Sequence, residues 1–197
     1  EEQARAALEL ARLAGVLPAF LVDPENAGEA VALNAADVGA FTDAARLQIA
    51  SRARLPVAAA DDARIVAFRS PDDTREHVAL IIGEQSADRI PLVRLHSECL
   101  TGDILGSLKC DCGPQLAAAL QAMAQEADKG GWGILLYMRQ EGRGIGIINK
   151  LRAYRLQDQG FDTVDANTRL GLPDEARDFP TAARMLELLN VGEIRLM

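Results

Sequence analysis

All three cysteines of this 197-residue chain lie within one short window, and no other feature limits its possible folds as strongly. Ten residues separate Cys99 from Cys110, and one separates Cys110 from Cys112. Two thiolates one residue apart can reach a metal ion from a tight turn, while the third returns to it from the far end of a loop. The segment Arg94–Gln115 is therefore predicted to fold back on itself around zinc. Three thiolates leave one tetrahedral position for a water molecule, whose pKa the metal lowers toward neutrality.

Two other interpretations of the cysteines stay open on the residues alone. They could be small buried hydrophobic side chains without a common partner, although their clustering argues against independent placement. His96 lies three residues before Cys99, so it could also complete a closed Cys3His site with a structural role. The two zinc interpretations differ in the role of His96. In the closed site His96 binds the metal, and in the open site it faces a bound small molecule.

The charge distribution favours a small anionic ligand over a polymer. A net charge of −8 argues against a nucleic-acid surface, because phosphate backbones are bound by broad basic faces. Between Arg139 and Arg155, however, the chain carries five basic residues and a single acid, Glu141. A solvated helix face explains Arg152 and Arg155 well. It does not explain the pair Arg139 and Arg143, which lies in a glycine-rich turn. This local patch suits one compact polyanion.

Several features predict a cytoplasmic protein. No apolar run reaches the length of a membrane span, and the start EEQARAALEL has neither the basic nor the apolar region of a signal peptide. Reduced thiols suit a cytoplasmic location. Because the first residue is Glu rather than Met, we expect the sequence to be a piece of a longer chain.

Apolar periodicity and turn residues predict an N-terminal segment followed by a mixed domain. A linker over 51–62 places the boundary near residue 55. The predicted helices are 3–14, 36–50, 115–128, one ending near 159, and 180–189. The predicted strands are 63–69, 77–84, 90–97, Gly133–Met138 and 193–197, and residues 162–179 are predicted to form a polar loop.

The strand Gly133–Met138 leads into the sequence RQEGRGIGIINK and then a helix. A strand, a glycine-rich turn and a helix place backbone N–H groups and a helix N-terminus against phosphate. The turn has neither the Gly-Lys-Ser/Thr of a Walker motif nor the length of a dinucleotide fingerprint, so its glycines alone are a weak signal.

The segments RLHSECLTGDILGSLKCDCG, LLYMRQEGRGIGIINKLRAYRLQDQGFDTVDAN and ARDF resemble the GTP cyclohydrolase II family of riboflavin biosynthesis, over about residues 60 to 197. The resemblance implies an α+β fold with a mixed sheet flanked by helices. It implies an enzyme that opens the imidazole ring of GTP and releases formate and pyrophosphate, giving 2,5-diamino-6-(5-phosphoribosylamino)pyrimidin-4(3H)-one. One zinc ion, Mg²⁺ with the triphosphate, and a homodimer are further implied, with no nucleic-acid or membrane partner.

Carried over by position, the resemblance assigns zinc to Cys99, Cys110 and Cys112. It assigns GTP contacts to Arg94, Leu95, His96, Ser97, Glu98, Gln115, Glu141, Gly142, Arg143 and Thr163. Tyr154 matches a tyrosine near the reacting ring, and Arg177 matches the family's catalytic arginine. Because guanidinium stays protonated and is a poor nucleophile, we expect Arg177 to hold phosphate.

The sequence departs from the family pattern at three places, of which Met138, a histidine in some members, is the mildest change. The family's proton acceptor is an aspartate two residues before Arg177, where this chain has Glu175 with Asp174 before it. Either carboxylate could serve, or the activity could be altered, because general-base geometry tolerates little displacement. In the family, a further threonine and lysine for GTP lie in a segment after the last strand, and this sequence stops before that segment, at Met197.

Residues 1–55 weakly resemble the closing part of dihydroxybutanone phosphate synthase through ALELARLAGVLPAFLV, without its acidic metal motif. We interpret them as a remnant without chemistry, and residues 56–197 as the GTP cyclohydrolase II-like domain. The favoured hypothesis is therefore a zinc hydrolase acting on GTP. The alternatives are a catalytically altered GTP-binding relative with a regulatory role, and a structural zinc module.

Overall fold

The structure is a computed structural model that describes residues 1–14, 16, 19–22, 31–41, 43–71, 75–172 and 175–197. It divides into two compact units, Glu1–Arg46 and Leu47–Met197.

The first unit contains the helices α1 (Glu2–Leu13) and α2 (Ala35–Phe41) and a short 3-10 turn, Ala44–Arg46. Ala11 of α1 and Val38 of α2 are buried. The helix predicted over 3–14 is confirmed, because its apolar residues recur at helical spacing. The helix predicted over 36–50 is correct only in its first half.

The second unit is built on a six-stranded mixed sheet. Its strands are β1 (Gln48–Arg54), β2 (Ala63–Arg69), β3 (His77–Ile82), β4 (Leu92–Ser97), β5 (Gly133–Met138) and β6 (Arg195–Leu196). They are ordered β1-β2-β3-β5-β4-β6, antiparallel except for β4, which runs parallel to both β5 and β6. The predicted α+β fold with a mixed sheet is confirmed.

Two predictions of secondary structure are wrong and have physical explanations. Strand β1 lies where the end of a helix and a linker are predicted, so the compact units divide after Arg46 and not near residue 55. Nearly all of β1 is exposed, and pairing with β2 defines it, so its sequence carries little apolar signal. Helix α5 (Thr163–Arg169) lies within the predicted polar loop 162–179.

Helices cover both faces of the sheet. On one face, α6 (Phe179–Leu188) places Met185 in a core that includes Ile134 and Leu136 of β5. On the other face, α3 (Cys112–Asp128) packs Met123 against a second core that includes Leu135. Because β5 is buried on both faces, its sequence GILLYM is a continuous apolar run. The remaining helix is α4 (Gly146–Gln157).

The parallel pair β4 and β5 positions the site. Ser97 and Met138, at the carboxyl ends of these two strands, are register partners. The cysteine loop leaves β4 and the glycine-rich turn leaves β5, so both begin at the same edge of the sheet. Within the described ranges, none of the helices has both the length and the apolar character that crossing a bilayer requires.

Candidate active site

The three cysteines come together at the edge where β4 ends. Their sulfur atoms all lie within 4.8 Å of one another, and Cys99 Sγ is 3.6 Å from Cys110 Sγ. A π-helical turn, Leu100–Ile104, begins the loop between them, and Cys112 begins α3. The predicted convergence of the three thiols is observed.

Two glycines allow this close packing, and sequence reasoning missed both. A Cβ atom on Gly102 would lie 2.8 Å from Cys110 Sγ and 3.0 Å from Cys99 Sγ. A Cβ atom on Gly113 would lie 2.4 Å from the carbonyl oxygen of Gly102. A side chain at Gly102 would therefore collide with two of the sulfur atoms, and one at Gly113 would collide with the backbone of Gly102.

The cluster has the dimensions and chemistry of a metal site. Zinc–sulfur bonds of about 2.3 Å in a tetrahedron separate the sulfurs by about 3.8 Å, which the observed cluster can accommodate. Burial and the neighbouring sulfurs raise the pKa of Cys112 to about 12. The Cys112 thiol thus resists ionisation beside its neighbours, and a divalent cation would reverse that resistance.

His96 does not join the thiols. Among the described residues, the group of potential ligands here contains the three cysteines and no histidine. Instead, His96 Nε2 lies 3.0 Å and 3.1 Å from the two carboxylate oxygens of Asp103. The closed Cys3His arrangement is therefore not what the structure contains.

Asp103, which sequence reasoning also missed, is the central acceptor of this region. Its buried carboxylate accepts hydrogen bonds from the Cys99 amide at 3.1 Å and from Tyr137 Oη at 2.8 Å, in addition to its contact with His96. The His96 and Tyr137 rings stack with centroids 5.5 Å apart. Burial and the bond to Asp103 raise the pKa of Tyr137. One carboxylate therefore connects the cysteine loop to the ends of β4 and β5.

A lysine contacts the thiols from α4. Lys150 Nζ donates to Cys99 Sγ at 2.8 Å and to Glu141 Oε1 at 2.9 Å. Glu141 Oε2 accepts from the Leu100 amide at 2.7 Å. Burial disfavours the Cys99 thiolate, but hydrogen bonds from Lys150, Thr101 and the Gly102 amide prevail and lower the pKa of Cys99 to about 7. The structure thus gives Glu141 two partners beside the thiols, and its predicted contact with GTP stays a prediction.

Tyr154 lies one helical turn after Lys150 and faces the same region. Its hydroxyl is 3.3 Å from Thr101 Oγ1, and the ammonium groups of Lys109 and Lys150 lie 5.5 Å and 5.9 Å from the centre of its ring. Burial raises the pKa of Tyr154. The structure therefore places this phenol at the border of the thiol cluster.

Arg94 of β4 and Glu98, which follows the strand, have polar partners on neighbouring segments. Arg94 Nη2 donates to Gln115 Oε1 at 2.6 Å, and Gln115 Nε2 donates to Asp111 at 2.5 Å. Arg94 Nε is buried without a hydrogen-bond partner among the described residues. Glu98 forms an ion pair with Arg139 at 2.7 Å. The polar side chains of this segment thus pair with α3 and with the residue after β5, and their predicted contacts with GTP stay a prediction.

Other predicted residues of β4 face inward or hold neighbouring segments. Leu95 packs against the core on the α6 face. Ser97 Oγ accepts from Gln140 Nε2 at 2.9 Å, and Gln140 Oε1 accepts from the Asp178 amide at 2.8 Å. Gln140, which sequence reasoning did not identify, therefore connects β4 to the start of α6.

The glycine-rich turn adopts a left-handed backbone. Gly142 and Arg143 have φ of 62° and 60°, and Gly144 has φ of 94°. The left-handed conformation costs a residue with a side chain about 1 kcal/mol or more, so Arg143 is held in a strained position. A Cβ atom on Gly144 would lie 2.1 Å from the Ala176 carbonyl oxygen. The turn thus packs directly against the backbone next to Arg177.

Two arginines converge on one carboxylate here. Glu175 Oε1 accepts from the Arg177 amide at 2.9 Å and from Arg177 Nε at 2.8 Å, and Oε2 also pairs with Arg177 Nη2. Arg143 Nη2 lies 3.4 Å from Glu175 Oε2. The hydrogen bonds from Arg177 lower the pKa of Glu175 to about 2, and the pairing raises the pKa of Arg177. The Glu175 carboxylate is therefore ionised and paired with both arginine side chains.

We call Cys99, Cys110, Cys112, Asp103 and Lys150 the thiol end of the site, and Arg143, Glu175 and Arg177 the arginine end. Thr163 begins α5, but its side chain lies outside the described part of the structure, so its predicted contact stays a prediction. Asp174 also lies outside the described residues.

The comparisons with known proteins agree with these motifs. Residues 48–197 match the family described as GTP cyclohydrolase II. The chain is 45% identical over 205 residues to the GTP cyclohydrolase-2 of Azospirillum brasilense, covering 98% of this chain and 52% of that protein. It is 52% identical over 154 residues to the GTP cyclohydrolase-2 of Haemophilus influenzae, covering 78% of this chain and 69% of that protein.

A further relative is the riboflavin biosynthesis protein RibBA of Bacillus cereus, with 54% identity over 132 residues, 67% of this chain and 32% of that protein. The chain thus spans about half the length of the first of these relatives and about a third of the RibBA protein.

Proposed function

The chain belongs to the GTP cyclohydrolase II family, and from this premise we propose that it hydrolyses GTP in a zinc-dependent reaction of riboflavin biosynthesis. The reaction would open the imidazole ring and release formate and pyrophosphate. The product would be 2,5-diamino-6-(5-phosphoribosylamino)pyrimidin-4(3H)-one. The observation that carries the proposal is the cluster of three sulfurs within 4.8 Å, to which no histidine or carboxylate adds a fourth ligand among the described residues.

Cys99, Cys110 and Cys112 would hold the metal. Zinc bound by three thiolates would supply hydroxide at neutral pH for attack on C8 of the guanine ring. The side chains around the cluster would orient the base. His96 is held by Asp103, and Arg94 of β4 is hydrogen-bonded to Gln115 of α3. Their guanidinium and amide groups are of the kind that can read the guanine edge.

Tyr154 would hold a proton near the reacting ring. Its hydroxyl hydrogen-bonds with Thr101, on the loop that carries the thiols, and its raised pKa keeps it protonated at neutral pH. A protonated phenol can donate a hydrogen bond to a developing negative charge. The proposed role of Tyr154 is therefore that of a donor and not of a base.

The arginine end would bind the triphosphate. The glycine-rich turn is left-handed at Gly142 and Arg143. Arg143 and Arg177 are both held beside it by their ion pairs with Glu175. Guanidinium groups bind phosphate oxygens in pairs, and Mg²⁺ would share the negative charge. When the phosphates draw the arginines away, the Glu175 carboxylate loses the partners that lower its pKa and becomes able to accept a proton.

The regulatory alternative rests on the same carboxylate. Glu175 stands where the family has aspartate, and it pairs with Arg177 and Arg143. If this pairing persists with GTP bound, the protein would bind the nucleotide without processing it.

We propose three further properties on family grounds. The protein would act in the cytoplasm, it would form a homodimer, and the first compact unit, Glu1–Arg46, would be a remnant of a dihydroxybutanone phosphate synthase without chemistry of its own.

The deciding experiment incubates the purified protein with Zn²⁺, Mg²⁺ and GTP and measures formate, pyrophosphate and bound nucleotide. Formate and pyrophosphate should appear together, and the Cys110→Ala variant should release no formate above background. GTP binding without formate release by the zinc-loaded wild type would replace the hydrolase with the regulatory alternative.

A further inference from the structure

Lys150 is an almost buried cation directed at the thiol end of the site. Its side chain is only 11% exposed, and its partner Glu141 is 12% exposed. A buried ammonium group is costly unless it is paired and hydrogen-bonded. Lys150 has two such contacts, with Cys99 Sγ at 2.8 Å and with Glu141 Oε1 at 2.9 Å. The sulfur contact therefore belongs to a built arrangement and not to a solvated helix face.

The position of the ammonium group is also specific. Of the three sulfurs, Lys150 Nζ hydrogen-bonds to Cys99 Sγ and to neither of the others in the described structure. An atom at the centre of the three sulfurs would contact all of them. Lys150 consequently lies beside one ligand and leaves the space between the sulfurs to a metal ion.

Cys99 is held from several directions. Its amide donates to Asp103 at 3.1 Å, and its sulfur accepts from the Gly102 amide at 3.1 Å as well as from Lys150. Glu141, which anchors Lys150, accepts from the Leu100 amide directly after Cys99. The cation and the ligand are thus fixed to the same stretch of backbone.

Hydrogen bonds to a ligand orient it toward the metal and tune the charge that it donates. A bond from a cation draws negative charge from the sulfur, and the metal compensates by attracting its remaining ligand more strongly. We propose that Lys150 is a positioning residue, which holds the Cys99 thiolate in the orientation for metal binding and makes the bound metal a stronger Lewis acid. This inference rests on the proposed function only in that the thiols hold zinc.

The test uses Lys150→Met, which keeps an unbranched side chain only one heavy atom shorter and removes the charge. Lys109→Met is the matched control, because Lys109 also lies over the Tyr154 ring but pairs with Asp158. Zinc affinity is measured by chelator competition, and the cobalt-substituted proteins are compared by their sulfur-to-cobalt absorption. Lys150→Met should bind zinc about 10- to 100-fold more weakly and shift the cobalt band, whereas Lys109→Met should match the wild type.

A conservative variant shows whether the charge of Lys150 or only its packing is responsible for zinc affinity. Lys150→Arg retains a cationic donor, so it should bind zinc more tightly than Lys150→Met. Thermal unfolding of the zinc-free proteins verifies that each variant is folded. Unchanged or increased zinc affinity in Lys150→Met, an equal loss in Lys109→Met, or no recovery in Lys150→Arg would overturn the inference. Failure of the wild type to bind zinc would instead overturn the proposed function.

Discussion

At the thiol end of the site, the charged side chains are buried and each has several fixed partners, whereas at the arginine end they are exposed and pair with one another. The Asp103 and Lys150 side chains are 4% and 11% exposed, but those of Arg143, Glu175 and Arg177 are 49%, 38% and 35% exposed. Buried hydrogen-bonded charges specify one geometry, while exposed ion pairs are weak and easily exchanged. One end is thus suited to a permanent metal and the other to a substrate that comes and goes.

The largest expected effect is the complete loss of zinc binding without any loss of triphosphate binding. Cys110→Ala should abolish zinc binding, because two thiolates cannot supply the three ligands of the site. It should leave the binding of inorganic triphosphate unchanged, since the arginine end lies on a different loop. Arg143→Ala should do the reverse, with full zinc content and weakened triphosphate binding. Metal analysis measures the zinc content of both variants, and titration calorimetry measures their triphosphate binding. If either variant lost both zinc and triphosphate binding, the thiol end and the arginine end would not be independent.

Removing the central acceptor should be the next largest effect. Asp103→Ala leaves the His96 ring, the Tyr137 hydroxyl and the Cys99 amide without their shared partner. Buried donors without acceptors are costly, so the free energy of unfolding should fall by about 3 kcal/mol. Urea denaturation of the zinc-free protein gives the value. Asp103→Asn, which keeps one acceptor oxygen, is the control and should lose less; equal losses would show that volume and not hydrogen bonding is responsible.

A pair of glycines tests how the arginine end is positioned. Gly144→Ala would collide with the Ala176 carbonyl oxygen, whereas Gly146→Ala would meet nothing within 4 Å, although both glycines have positive φ. Both substitutions should cost about 1 kcal/mol through backbone strain. Only Gly144→Ala should also displace Arg177 and so weaken triphosphate binding. We expect the Kd for triphosphate to rise about tenfold, which corresponds to about 1.4 kcal/mol of binding free energy. Calorimetry compares the two variants, and zinc content should stay constant in both.

Most of the fold follows from the sequence, because β2 to β5 and helices α3, α4 and α6 have clear apolar patterns and turn residues. Strand β1 does not, since its side chains are largely exposed and its pairing with β2 is a long-range contact. The thiols converge as their spacing predicts.

Asp103, Gln140 and Lys150 could not be assigned in the same way. Their partners lie on other loops, helices or strands, and a single polar residue carries no periodic signal of such contacts. Asp103 is four residues after Cys99, a spacing that in hindsight allows a carboxylate to accept from the amide of a ligand.

The smallest expected effect concerns the weak pairing at the arginine end. The pKa of Glu175 is lowered to about 2 when folded, against an ordinary value of about 4.3. A depressed carboxyl pKa contributes stability above the ordinary value and loses it as the pH falls through the folded one. The difference in free energy of unfolding between the wild type and Glu175→Gln should therefore be present at neutral pH and shrink between about pH 5 and pH 2.

Because Glu175 and both arginines are substantially exposed, solvent screening should keep that difference below about 1 kcal/mol. The Glu175→Gln, Arg177→Met double-mutant cycle isolates the pair, and its coupling energy should vanish over the same pH interval. A coupling of several kcal/mol, or one that is independent of pH, would mean that the arginine end is as rigid as the thiol end. The arginines would then be locked to Glu175, and triphosphate could not displace it.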